Sequence, residues 1–353
     1  MKQQFTIQAI TDCTIEYGGD IEYSINNGKS WRVLGKLSLP EGHEAQFRNA
    51  RTKSNESFVI EGYFNVYGHI STLAPNETNT FVWMFYHTNV VDASKLILDY
   101  DELWPMAYYG MFSCCTNLTT APELPATTLA QSCYAYMFRD CTSLTTAPAL
   151  PATTLAHYCY SAMFNGCTSL TTAPELPATT LAKYCYQNMF RGCTNLTTAP
   201  ELPANILDKY CYDSMFHKCT SLTSAPSILP ATTLANYCYQ YMFSGCTSLT
   251  TAPELPATTL ALSCYAYMFY CCRSLTIAPK LPATELAQYC YSGMFGKCEN
   301  LTAAPILLAV KTKDKSYFHM FEGCKSLKKR PVMPKKVYLE AINMSFIPNE
   351  LVK

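Results

Sequence analysis

Nineteen cysteines and six histidines are the side chains of this 353-residue chain best suited to chemistry, as nucleophiles, metal ligands or disulfides. Sorting the cysteines by spacing removes most of that promise. Nine follow a Met-Phe pair, from Cys115 to Cys324, and seven precede it by four residues, from Cys133 to Cys290. Only Cys13, Cys114 and Cys271 fall outside these two columns. The columns lie eight residues apart, roughly 12 Å along a helix, which is beyond the reach of a disulfide. The total is odd, and the close Cys-x-x-Cys spacing of zinc sites is absent. Free cysteine as a small buried hydrophobe fits better. The vicinal pairs Cys114-Cys115 and Cys271-Cys272 are the candidates for redox behaviour. His43, His69, His87, His157, His217 and His319 are scattered, with no Ser/His/Asp or Cys/His arrangement. A Gly-rich phosphate loop is also missing. The expectation is a non-enzyme with no catalytic residues, no cofactor and no bound metal.

Binding is the remaining chemistry. A threonine column runs through Thr119, Thr145, Thr171 and Thr197, beside a carboxylate row of Glu123, Glu175, Glu201 and Glu254 that Lys280 interrupts. Evenly spaced hydroxyls and carboxylates suit a repetitive ligand such as a glycan, and equally suit a solvated edge. Tyr136, Tyr241 and Tyr267 add amphipathic aromatic area of the kind found at interfaces, or they lie over the core. Around them the copies differ most: His157, Lys183 and Lys209 precede the second cysteine column, and Arg139, Asn165, Arg191 and His217 follow the Met-Phe pair.

These residues are positioned by one phrase written nine times. The Met-Phe pair recurs from Met111 to Met320 in steps of 26 residues, with one of 27 where Ser227-Ile228-Leu229-Pro230 carries an insertion. A fixed period of this size is the signature of a solenoid, whose coils bury a core only by stacking. Within a coil, Leu129, Cys133, Met137 and Ala130, Tyr134, Phe138 recur at i, i+4, i+8, which predicts a helix of about three turns. Thr127 or Thr128 would cap it, and Gly166, Gly192, Gly245 and Gly323, or Asp140, Lys218 and Lys297, would end it in a left-handed conformation. Cys115, Leu118, Ala121 and Leu124 step by three, which predicts a short extended segment. Pro122 and Pro125 hold its paired part to a few residues near Leu118-Thr119-Thr120.

The first 75 residues differ in kind. Alternation over Thr6–Ile10, Cys13–Tyr17, Ile21–Ile25, Glu44–Arg48 and Phe58–Phe64 predicts strands, and Asn27-Gly28 a primed hairpin turn. Ser24 to Trp31 resembles an Asp-box with Asn26 in place of the Asp, a hairpin-folding device. The predicted organisation is a small antiparallel β domain over 1–75, a capping repeat over 76–107, nine repeats of about 26 residues over 108–327 and a C-terminal cap over 328–353. Lys325, Lys328, Lys329, Arg330, Lys335 and Lys336 make that end basic, for solvation or for an acidic partner.

The unit Met-Phe-x-x-Cys-x-x-Leu, followed by a short strand and Pro, resembles the repeat of BspA-like leucine-rich-repeat proteins. Its fuller form resembles repeat proteins of gut Bacteroidales and their phages. The resemblance covers about two thirds of the chain. It implies an α/β solenoid, a curved right-handed leucine-rich-repeat superhelix of short strands and short helices, used for attachment to a protein or glycan on a cell surface.

Net charge of zero and a pI near 6.9 argue against a general nucleic-acid partner. No run of 18 apolar residues is present to span a membrane. Met1 to Ile7 shows no secretory h-region, which favours a phage virion protein, a tail or fibre component, over a bacterial surface adhesin. In that setting the β domain would dock to other virion proteins. A purely structural virion or assembly role is the third reading.

Overall fold

The computed structural model describes residues 2–51, 57–73, 81–100, 102–328 and 331–334. Nine strands form at the N-terminal end: β1 (Thr6–Ala9), β2 (Cys13–Tyr17), β3 (Asp20–Ser24), β4 (Arg32–Val33), β5 (Lys36–Leu39), β6 (Glu44–Arg51), β7 (Phe58–Glu61), β8 (Phe64–His69) and β9 (Val90–Ile97). Six build one sheet in the order β4-β3-β6-β1-β8-β9, and three build a second, β5-β2-β7. All pairings are antiparallel except β8 with β9. The β3–β4 turn contains Asn27 and Gly28 at φ 56° and 77°, the left-handed region that a primed turn demands. Asn26 knits that turn: its Oδ1 accepts from Ser24 Oγ and the Ser30 amide, and its Nδ2 donates to Ser30 Oγ.

The sheets alternate buried and half-buried residues, so Phe5, Phe47, Phe58 and Phe64 gather inside. Phe58 also stacks on Phe85 at 5.6 Å and 4°, and Phe85 stacks on Phe112 at 5.3 Å. The β strands and the coils therefore share one continuous core. Val91 and Asp92 of β9 join the first full coil, through Thr119 and Thr120.

No α-helix forms among the described residues, which corrects the helix expected in each coil. In its place the chain makes consecutive turns. The amides of Cys133, Ala135, Met137, Arg139 and Cys141 each donate to the carbonyl three residues back, at 3.1–3.3 Å. The alternate amides of Ser132, Tyr134, Tyr136, Phe138 and Asp140 donate to the next coil, to the carbonyls of His157, Cys159, Ser161, Met163 and Asn165, at 2.7–3.0 Å. Half of the backbone thus bonds within the coil and half between coils, and no run of i→i−4 bonds develops. Ser132, Tyr136 and Asp140 have φ of 55–59°. The same three columns are left-handed in the following coils, through Tyr158, Ala162 and Gly166 and then Tyr184, Asn188 and Gly192. The position where the sequence favours glycine is left-handed as expected, but as one of three such points rather than a helix end.

The reason is spacing. Packed helices need 8–10 Å between axes, and the coils here stand much closer. Phe rings from Phe85 to Phe321 form one stack with centroids 5.3–5.8 Å apart. A second buried stack runs from Tyr108 to Tyr317 at 5.6–6.0 Å. The other side of each coil is joined by backbone bridges, whose strand spacing is about 4.8 Å. A helix cannot repeat at that pitch, so the i, i+4 pattern marks a tighter turn ribbon.

The bridges are single residues. Thr146, Thr172, Thr198, Ser224 and Thr251 pair in succession, all parallel. Thr128, expected to cap a helix, bridges to Thr154 instead. The prolines that flank these positions restrict pairing to this minimum.

Candidate functional site

The threonine column lies exposed on the bridge side, and some of its hydroxyls bond to the neighbouring coil. Thr119 Oγ1 donates to the Val91 carbonyl at 3.0 Å, and Thr223 Oγ1 to the Thr197 carbonyl at 3.1 Å. The carbonyls of Thr145 and Thr171 receive the amides of Thr171 and Thr197 at 3.4 Å. Glu123 and Glu175 are exposed. Glu201 accepts from the Ser227 amide at 3.1 Å and from its hydroxyl at 3.0 Å. Glu254 borders a shallow cavity of about 410 Å³ walled by Pro253, Pro256, Pro279 and Lys280.

Tyr136, Tyr241 and Tyr267 lie on the turn ribbon, half-buried and left-handed. They belong to two separate aromatic groups. Near the β domain, Trp83 meets Tyr86 and Tyr109 edge-on at 5.2 Å, and Tyr109 lies 5.3 Å from Tyr136. Gly110 lies under this group: a Cβ there would come within 2.2 Å of the Trp83 ring. A cavity of about 450 Å³ opens beside it, lined by Ser57, Trp83, Tyr86, Ser113, Cys114 and Arg139. Further along, Tyr241 stacks on Tyr267 at 5.0 Å and 8°, Tyr270 meets Tyr267 edge-on, and Lys297 sits 5.3 Å over Tyr270.

Between the groups the same columns are polar. Gln187 Nε2 donates to Asp213 Oδ2 at 2.9 Å, and burial raises the Asp213 carboxyl above the ordinary range. Burial, together with Arg191 and Lys218, lowers His217 to about 4, so its imidazole is neutral at pH 7. The threonine–glutamate row and the tyrosines therefore form two surfaces on one coil rather than one site.

Sequence reasoning missed the partners of Tyr136, because Trp83, Tyr86 and Tyr109 sit in the irregular first coils. It also missed a second, partly exposed stack of Tyr158, Tyr184, Tyr210 and Tyr237, with centroids 4.4–4.7 Å apart. Its signal was present as the first tyrosine of Tyr-Cys-Tyr in four consecutive copies.

The profile of the BspA type leucine rich repeat region matches residues 107–250 and 209–341, with six copies. The chain belongs to this family. Among solved structures it is similar to a leucine-rich repeat protein from Bacteroides ovatus ATCC 8483, at 17% identity and a TM-score of 0.35, over 79% of each chain. No curated protein matches the sequence.

In this BspA-type protein all nineteen cysteines are free, and seventeen of them are buried. Along the main column each thiol donates to the Phe carbonyl one coil back, as Cys141 Sγ does to Phe112 O at 3.1 Å and Cys167 Sγ to Phe138 O at 3.0 Å. Burial pushes the thiols of Cys115, Cys133, Cys219, Cys264 and Cys324 up to about 12, which suppresses the nucleophilic thiolate. Cys114 and Cys271 alone are partly exposed. Native protein treated with maleimide at pH 7 is expected to take up label at these two positions, with the other seventeen reacting only in denaturant. Mass spectrometry of the digested adduct checks this; rapid native labelling of Cys141 or Cys193 would contradict the packing.

Proposed function

We propose that this chain is a non-enzymatic attachment protein whose turn ribbon, rather than its threonine–glutamate side, meets a protein or glycan on a cell surface, and that it works as a phage tail or fibre component. The observation that carries this reading is the placement of the aromatic groups. Trp83, Tyr86 and Tyr136 at one end and Tyr241, Tyr267 and Tyr270 at the other occupy columns that change from copy to copy. The stacking columns of Phe, Met and Cys do not change. Large, stiff, amphipathic rings suit recognition because few rotamers are frozen on binding. By contrast, several hydroxyls of the threonine column, those of Thr119, Thr223 and Thr302, donate to a neighbouring coil's carbonyl. The family's leucine-rich-repeat scaffold accords with protein binding or adhesion.

The test is binding of the full chain to intact gut Bacteroidales cells, to their purified capsular polysaccharide and to their outer-membrane proteins. Trp83→Ala combined with Tyr267→Ala is expected to weaken binding at least about tenfold, or 1.4 kcal/mol. Thr171→Ala combined with Glu175→Ala is expected to leave it unchanged. Binding lost in the second variant and kept in the first moves the contact to the bridge side. Absence of binding to all three preparations leaves an assembly role. Immunogold labelling of purified virions tests location, and label confined to the bacterial envelope would make the chain a surface adhesin.

A further inference from the structure

The outer face of the six-stranded sheet carries a second, separate feature. Strand pairing aligns its outward side chains into two rows that cross the strands. Gln46, Thr6, Tyr67 and Lys95 are successive partners in one row, and Glu44, Gln8, Asn65 and Asp92 in the other. The second row is a hydrogen-bonded chain, with Asn65 Nδ2 donating to Gln8 Oε1 at 3.3 Å and Gln8 Nε2 to Glu44 Oε1 at 3.2 Å.

This face is concave where a merely solvated sheet would be open. A cavity of about 500 Å³ runs from the Asn27-Gly28 turn and Trp31 across Gln46 to Tyr67. An adjoining one of about 290 Å³ continues to Asp92 and Lys95, sharing Gln3, Glu44 and Tyr67 with the first. Two acceptors in these walls, Gln4 Oε1 and Asn65 Oδ1, are shielded from solvent and receive no hydrogen bond from the protein.

We propose that this groove binds a neutral oligosaccharide. Planar side-chain amides donate and accept in one plane, as neighbouring sugar hydroxyls require, and Gln3, Gln4, Gln46, Asn27 and Asn65 provide five of them. Arg48 lies over one face of the Trp31 ring, 4.1 Å from its centroid; the other face of Trp31, with Tyr67, offers the apolar surface that a pyranose covers. Of the cations lining the groove, Lys2 pairs with Asp99 at 2.6 Å and Arg48 with Glu22 at 2.7 Å, and Lys95 shares its wall with the carboxylates of Glu44 and Asp92, so no excess of positive charge selects an anion. Four strands at about 4.8 Å spacing give a path of roughly 15 Å, which fits about three sugar units. This site lies on the β domain and stands apart from the turn-ribbon reading.

Isothermal titration of the full chain with neutral tetrasaccharides of β-1,4-glucan, α-1,4-glucan, β-1,4-mannan and β-1,4-xylan tests it. At least one is expected to bind with Kd between roughly 10 μM and 1 mM. Trp31→Ala and Gln46→Ala are each expected to weaken it about tenfold or more, with unchanged circular dichroism, while Lys313→Ala, at an exposed position of the last coil, has no effect. Gln46→Ala removes no ring, so it keeps the test valid if Trp31→Ala fails to fold. The proposal is overturned if none of the four binds at millimolar concentration, if binding survives both β-domain substitutions, or if a uronic-acid tetrasaccharide binds more tightly than all of them.

Discussion

Raising the pH from 8 to 11 in the presence of reductant is expected to unfold the coils in one steep transition. Seventeen thiols are buried, all but Cys13 of them in the coils, and burial raises every one from its ordinary value near 9.0. A folded value above the unfolded one means that the native state holds protons which the unfolded chain releases. Stability is then intact below pH 9 and falls as pH climbs toward about 12, the value reached at Cys115 and Cys219. Each such thiol contributes about 1.4 kcal/mol of loss per pH unit in that window. For the whole stack the loss is on the order of 20 kcal/mol per unit, comparable with all the stability expected at ~0.05–0.15 kcal/mol per residue. The buried tyrosines, raised in the same direction, steepen the fall above pH 10. Circular dichroism against pH should place the midpoint between about pH 9 and 11. Replacing Cys167, Cys193, Cys219 and Cys246 with alanine should flatten the transition by about four protons. A chain that keeps its native signal to pH 12 would show that the thiols are not sealed from water.

Much of this was legible in the chain because stacking imposes one requirement on every copy. The Phe, Tyr and Cys columns, the 26-residue step and the brief pairing beside Pro122 and Pro125 follow from burial and from proline's missing donor, and both are local facts. The helix was not legible. An i, i+4, i+8 stripe reports which residues are buried together, and a ribbon of turns with Ser132, Tyr136 and Asp140 in the left-handed region buries the same ones. Only the coil pitch excludes a helix, and pitch is a property of neighbours rather than of one copy. The binding residues were half legible for a related reason. Tyr136, Tyr241 and Tyr267 stood out as copy-specific, but the rings that complete the first group come from irregular segments. The groove over the six-stranded sheet depends on pairing β6, β1, β8 and β9, far apart in sequence. The expected C-terminal cap over 328–353 lies almost wholly outside the described residues.

The continuity of the core has its own consequence at Phe85. This ring touches Phe5 and Phe64 at 6.1 and 6.3 Å, Phe58 at 5.6 Å and Phe112 at 5.3 Å. It is thus the link between the two sheets and the first coil. Phe85→Ala should remove about 3–5 kcal/mol through lost transfer and the cavity left behind, with about 1 kcal/mol more from the broken ring stacks. The loss falls at the junction, so its larger effect is on cooperativity. In a Trp83→Phe, Trp104→Phe background, which leaves Trp31 of the β domain as the one tryptophan, the parent chain should unfold in urea with one midpoint, whether followed by tryptophan fluorescence or by the near-ultraviolet dichroism of the tyrosine stacks. In Phe85→Ala the two midpoints should separate, because the β strands no longer share a core with the coils and each part unfolds at its own stability. Phe85→Leu keeps most of the apolar volume and should bring the midpoints back together, at a stability between the other two. Coincident transitions in Phe85→Ala would mean that β9 and its backbone bonds to Thr119 and Thr120, rather than the aromatic stack, carry the coupling.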